Sequence, residues 1–67
     1  MWYIRNKIDG SYYKKHNVAG AAVLGIIFNT SRAEAKLFLY RMDAVLMIGR
    51  IKRRKLTNKV DLEIVEA

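Results

Sequence analysis

The sequence predicts an α+β protein: a small antiparallel sheet of three or four strands with one main helix packed on one face. Alternating apolar residues near both ends of the chain are typical of half-buried strands. Between them, one stretch carries apolar residues at helical spacing and then a basic cluster. The 67 residues are predicted to form a single domain, 1–67, because so short a chain builds only one core.

The first strand is predicted over residues 2–8, where one parity is apolar and is expected to face the core: Trp2, Ile4 and Ile8. Asp9 and Gly10 then form a turn signal, because Gly adopts positive φ without steric cost and Asp tolerates it. A second strand is predicted over residues 11–15. Of Tyr12 and Tyr13, one is expected to face the core and the other the opposite side.

Residues 16–30 are unusually apolar for a connecting segment. The sequence favours a loop followed by a short strand, whose buried part is Ile26, Ile27 and Phe28. The uncharged part, 18–28, is shorter than the about 20 residues that span a bilayer. An apolar segment of this kind needs cover from the core, a partner or a second copy, so a homo-oligomer is one expectation.

A helical turn is predicted at Ser31, because Ser31 and Glu34 match a capping box. Two continuations compete. One is a single helix over 32–55; the other is a turn, a short strand over 36–39 and a main helix that begins near Tyr40. We favour the second, because this part of the chain is apolar on every side and one exposed helix would leave part of it in water.

The main helix is predicted within residues 41–55 and is expected to end at Thr57 and Asn58. One stripe of it is apolar and should face the sheet: Ala44, Met47, Ile48 and Ile51. Most of the basic cluster is expected to miss this stripe and point to water: Arg50, Lys52, Arg53, Arg54 and Lys55. The cations lie near the helix C-terminus, where they complement the helix dipole.

The last strand is predicted over residues 60–64, which alternate strictly between apolar and polar. The inward residues are Val60, Leu62 and Ile64. Its outer face is acidic, so ion pairs with the first strand are expected, formed by Arg5 or Lys7 with Asp61 or Glu63.

The order of these segments resembles a known type of small protein. The stretches WYIRNKIDGSYYKK, SRAEAKLF and VDLEIVEA are similar to those of small phage-encoded ββ(β)αβ proteins of the host-takeover and counter-defence type. The resemblance covers most of the chain outside residues 16–30 and consists of fold-forming residues. It implies the architecture and a role inside a host cell, and the absence of Cys fits the cytoplasm as the location. No functional residues carry over.

The composition argues against catalysis. The chain has no Cys and one His, so no thiolate can hold zinc and no metal site or cofactor is expected. We find no nucleophile–base motif and no phosphate-binding glycine loop, and interpret His16 as a solvated residue at a strand end. The protein is therefore predicted to be no enzyme and to take no small-molecule substrate.

The net charge of +7 predicts an anionic partner, either nucleic acid or an acidic protein surface. The basic cluster is the predicted contact, and Tyr3 and Tyr13 would add base stacking if the sheet exposes them. A solvated helix end remains the alternative interpretation of the cluster. Two further functions stay open: an inhibitor of a host enzyme or defence factor that binds by its surface or a sheet edge, and an assembly protein that self-associates through 18–28. Membrane binding is disfavoured, because the apolar stripe of the helix is needed for the core.

Overall fold

The computed structural model describes residues 1–20, 22–53 and 60–67. The elements in chain order are β1 (Trp2–Asn6), β2 (Tyr12–Ala19), β3 (Ala22–Asn29), a 3₁₀ turn (Arg32–Glu34), α1 (Arg41–Lys52) and β4 (Leu62–Glu66). The strands form one antiparallel sheet of order β3-β2-β1-β4. Helix α1 packs on β1 and β4. The predicted α+β class, with one helix on one face of a small sheet, is confirmed.

The turn between β1 and β2 forms at the predicted residues. Gly10 has a φ of 75°, and the Asp9 carboxylate accepts hydrogen bonds from the Ser11 backbone N–H at 2.9 Å and hydroxyl at 2.6 Å. Strand β1 ends at Asn6, whose side-chain Oδ1 accepts the Ile8 N–H at 3.1 Å. Ile8 is therefore in the turn and 71% exposed, so its predicted place in the core is wrong.

Residues 16–30 do not form the expected loop and short strand; most of them belong to a hairpin of two eight-residue strands. Strand β2 continues to Ala19 and pairs along its length with β3, and Gly20 lies between them at a φ of 60°. The pairing supplies backbone hydrogen bonds that a loop would lack, so an apolar sequence is tolerated here. Register shifts after Tyr13 and Asn17 bend this hairpin.

Residues 31–39 follow the favoured alternative, except that the strand expected over 36–39 is reduced to a single bridge at Phe38. The turn after Ser31 is a 3₁₀ turn, and the predicted capping box is wrong, because the Ser31 side chain makes no capping hydrogen bond. Phe38 then exchanges two backbone hydrogen bonds with Trp2, both 2.9 Å, and the Lys36 N–H donates to the Tyr13 carbonyl at 3.0 Å. The segment thus lies between β1 and β2 where they separate, and the single helix over 32–55 is excluded.

The core lies between α1 and the sheet. Its buried apolar side chains are Ile4, Tyr13, Phe38, Ala44, Ile51 and Leu62. The predicted helix stripe is confirmed, since Met47 and Ile48 pack against this cluster beside Ala44 and Ile51. Helix α1 ends at Lys52, and the predicted end at Thr57 and Asn58 lies outside the described residues.

Strand β4 pairs with β1 and completes the sheet. Leu62 is buried, and Ile64 and Val60 pack against the core, as the alternation predicts. The register places Arg5 directly opposite Glu63.

Candidate functional site

Three cations on the sheet or beside it are paired with carboxylates. Three ion pairs form there: Arg5 Nε to Glu63 Oε1 at 3.3 Å, Lys7 Nζ to Asp61 Oδ1 at 3.8 Å, and Lys14 Nζ to Glu34 Oε2 at 2.8 Å. The predicted pairing of the first and last strands is confirmed. These contacts use three of the six carboxylate side chains of the whole chain. They neutralise these three cations, whereas Lys15 of β2 is exposed and forms no ion pair with a described residue.

The cations of α1 lack such partners. Arg41, Arg50, Lys52 and Arg53 are all exposed, and within 1–20, 22–53 and 60–67 no carboxylate forms an ion pair with any of them. Asp43 lies in the first turn of the helix, far from the basic last turn. The excess positive charge is therefore concentrated on the helix side of the molecule.

The three described members of the basic cluster surround the end of the helix. Arg50 and Lys52 lie in the last turn and Arg53 is the C-cap residue. Successive helical residues are about 100° apart, so Arg50 and Lys52 flank the buried Ile51 on opposite sides and Arg53 points away from the sheet. The cluster forms a collar instead of one flat stripe. Arg54 and Lys55 lie outside the described residues.

The two residues predicted to stack on bases, Tyr3 and Tyr13, differ in their exposure. Tyr13 is only 2% exposed and packs against Phe28 and Phe38, so its predicted role in base stacking is wrong. Burial raises the pKa of its hydroxyl above the ordinary value. Tyr3 is half-buried, and the Arg32 guanidinium lies 5.0 Å from its ring centroid. A base would have to displace Arg32 to stack on that face of Tyr3.

His16 is part of the sheet and not a solvated strand end. It lies inside β2, is half-buried, and its Nδ1 is 2.7 Å from the Tyr13 hydroxyl. The rings also meet edge to face at a centroid distance of 5.6 Å. These contacts explain His16 as a residue that fixes Tyr13 in the core.

The sequence reasoning missed an exposed apolar surface beside the basic collar. We call it the 37–46 surface, formed by Leu37, Leu39, Tyr40, Met42, Val45 and Leu46. A groove of about 330 Å³ runs between residues 36–39 and α1. The available signal was that α1 carries apolar residues off the core stripe as well as on it.

No protein-family model, curated protein or solved structure gives a significant match to this chain. The resemblance to small phage-encoded proteins thus stays a prediction. Over the part of the chain that is described, no helix has the length and apolar character needed to cross a membrane. The same residues bring no three of the side chains His, Cys, Asp and Glu together at a metal-binding distance.

Proposed function

We propose that this is a small, non-enzymatic binding protein that engages nucleic acid, or a nucleic-acid-associated host complex, through the basic collar at the end of α1. One observation carries the proposal. Carboxylates pair with Arg5, Lys7 and Lys14 at the sheet, whereas three cations at the end of the helix are exposed and form no ion pair with a described residue: Arg50, Lys52 and Arg53. In the sequence, Arg54 and Lys55 follow directly after these three cations.

Unpaired cations suit a polyanion for an energetic reason. A phosphate that approaches a paired lysine must first compete with its carboxylate, whereas Lys52 and Arg53 can contact phosphate without losing an ion pair. Each contact releases condensed counterions, so the affinity should fall steeply with salt and depend little on sequence. The proposed location is the cytoplasm of a host cell.

The test compares two double variants with the same loss of charge. Lys52→Ala with Arg53→Ala removes two unpaired cations, and Lys7→Ala with Lys14→Ala removes two paired ones. Fluorescence anisotropy with labelled DNA and RNA of several sequences is measured across a salt series. The helix variant should shallow the slope of log affinity against log salt by about one unit per lost phosphate contact, for all sequences alike.

The sheet variant should shallow that slope less. An equal loss in both variants would show that net charge alone matters, and unchanged binding by the helix variant would refute the collar as the contact. Affinity pull-down from host lysate, with and without nuclease, distinguishes nucleic acid from an acidic protein surface as the target. Recovery that nuclease abolishes indicates nucleic acid, whereas recovery of one protein despite nuclease indicates an acidic protein surface.

Strand β3 supports a second candidate function, that of an inhibitor or assembly protein. It is an eight-residue edge strand, Ala22–Asn29, without a charged side chain. Charged residues or prolines usually protect such edges from pairing with another chain. A strand of a target protein, or β3 of a second copy, could add there. Light scattering at micromolar concentration tests the second copy, and an Ile27→Lys variant, which places a charge on the edge strand, should abolish any dimer that it detects.

A further inference from the structure

The 37–46 surface gathers most of the exposed apolar side chains. Among the described residues, nine large apolar side chains are exposed, and six of them belong to this surface. Tyr40, Met42, Leu39 and Leu46 are 65%, 63%, 61% and 58% exposed. Single exposed apolar residues are ordinary, whereas a contiguous group of them is typical of a binding surface.

The backbone holds these side chains outward. Phe38 pairs with Trp2 and is buried, so Leu37 and Leu39, its neighbours along an extended chain, point away from the core. In α1, Ala44 and Ile51 face the sheet, which puts Met42 and Leu46 on the other side of the helix. Neither group can turn inward without breaking the packing of the core.

The groove has an apolar lining with a basic margin. Leu37, Phe38, Leu39, Leu46 and Met47 provide the apolar lining. Lys36 and Arg50 lie on opposite walls, and neither forms an ion pair with a described carboxylate. Asp43 precedes Arg50 by two helical turns, about 10 Å along the same wall. An occupant should therefore be apolar at its centre and acidic beside it.

Two other occupants fit less well. A symmetric contact between two copies would bring Lys36 and Arg50 of both chains to the same interface, where only the two Asp43 carboxylates offset four cations. An anionic membrane would face the Asp43 carboxylate and would leave the concave groove unfilled. The surface also contains Tyr40 and Met42, and Arg50 lines the groove beside it. These residue types are enriched where proteins meet.

We propose that the 37–46 surface binds an amphipathic helix of a partner protein, with the apolar stripe of that helix in the groove and its acidic side chains facing Lys36 and Arg50. Helix-in-groove recognition needs this combination of apolar contact and flanking charge. The groove shares Arg50 with the basic collar, whereas Lys52 and Arg53 do not line it, so substitutions at Lys52 and Arg53 test the collar separately from the groove.

The test uses three labelled synthetic peptides of about four helical turns. The first has Leu at i, i+3, i+4 and i+7 with Glu beside this stripe. The second has the same composition in shuffled order, and the third has Lys in place of Glu. Fluorescence anisotropy with the full chain should give the first peptide an affinity at least about tenfold above the other two.

A matched pair of variants locates the contact. Leu39→Ser with Leu46→Ser should weaken binding of the first peptide by about tenfold, whereas Ile8→Ser with Val18→Ser, which removes equally exposed side chains elsewhere, should leave it unchanged. Circular dichroism checks that each variant folds. Lys52→Ala with Arg53→Ala should weaken DNA binding but not peptide binding, so either proposal can fail alone.

Four outcomes would overturn the inference. The first is equal affinity for all three peptides, and the second is an equal loss of peptide binding in both serine variants. The third is binding to vesicles of phosphatidylcholine and phosphatidylserine that depends on Leu39 and Leu46, while no peptide binds. The fourth is a dimer of the free protein that Leu39→Ser with Leu46→Ser dissociates.

Discussion

The open face of the sheet and the exposed side of α1 carry the same kinds of cations in opposite situations. On the sheet, strand register sets Arg5 opposite Glu63, so the carboxylate arrives from a distant part of the sequence. On the helix, a carboxylate partner from the same element would have to lie three or four residues away from the cation. Those positions before Arg50, Lys52 and Arg53 hold no acidic residue. The location of net charge is thus decided by pairing geometry and not by composition.

The largest expected effect is a difference in stability between substitutions on the buried side and on the exposed side of α1. Ile51 is fully buried between helix and sheet, and Leu46 is 58% exposed on the outer side. Ile51→Ala should lower the free energy of unfolding by about 2–5 kcal/mol, because it removes buried methyl groups and leaves a cavity. Leu46→Ala should change it by less than about 0.5 kcal/mol. Urea unfolding followed by circular dichroism measures both.

A large loss of stability in the Leu46 variant would contradict the separation. It would mean that the 37–46 surface is part of the core of the free protein, and the groove would then be no binding site. Equal, small losses in both variants would instead mean that α1 is held on the sheet by contacts other than Ile51.

The elements that the sequence predicted well are those with a regular pattern. The stripe from Ala44 to Ile51 and the alternation of β4 each repeat with a period that only one element satisfies. Residues 16–30 lacked such a period, because β3 is apolar at nearly every position and its pairing with β2 is a long-range property. Bulges in that pairing also hide the alternation of β2.

The candidate site was predicted only in part. The basic cluster is visible in the sequence because its members are consecutive, but the neutralisation of Lys7 and Lys14 depends on the fold. Burial of Tyr13 likewise depends on which of two adjacent tyrosines the register turns inward. The groove could not be predicted, since it forms between two segments whose separation is set by the pairing of Phe38 with Trp2.

A smaller effect on DNA binding should follow from removing the carboxylates that pair with Arg5 and Lys7. Asp61→Asn with Glu63→Gln leaves Lys7 and Arg5 unpaired, so this face should begin to contact phosphate. The salt slope for a DNA duplex should steepen by about one to two units relative to the wild type. The loss of the exposed Lys7–Asp61 pair should cost less than about 1 kcal/mol. The Arg5–Glu63 pair is half-buried and its loss leaves a buried Arg5 Nε, so this loss should cost more, about 1–3 kcal/mol.

The control for this double variant is Asp43→Asn with Glu66→Gln. It makes the same change in net charge, and neither carboxylate forms an ion pair with a described residue. If both double variants steepen the slope equally, then the field of the whole protein governs the binding and the distinction between paired and unpaired cations has no consequence.

The smallest expected effect is a change in the pKa of the Glu34 carboxyl. It tests whether the ion pairs at the sheet persist in solution. Lys14 Nζ donates a hydrogen bond to Glu34 Oε2 at 2.8 Å, and this bond, with the lysine charge, lowers the pKa of the Glu34 carboxyl below its ordinary value. A lowered pKa in the folded state means that the pair contributes stability above the unfolded-state pKa of about 4.3 and loses it as the pH falls through the folded value. Carbon-13 NMR of the carboxyl group measures the titration directly. Lys14→Met should raise the Glu34 pKa towards the ordinary value, whereas Lys15→Met, which removes the same charge from the next residue of β2, should leave it lowered. If both variants raise that pKa equally, the shift comes from the general positive field, and the pairing that distinguishes the sheet from the helix is absent at this position.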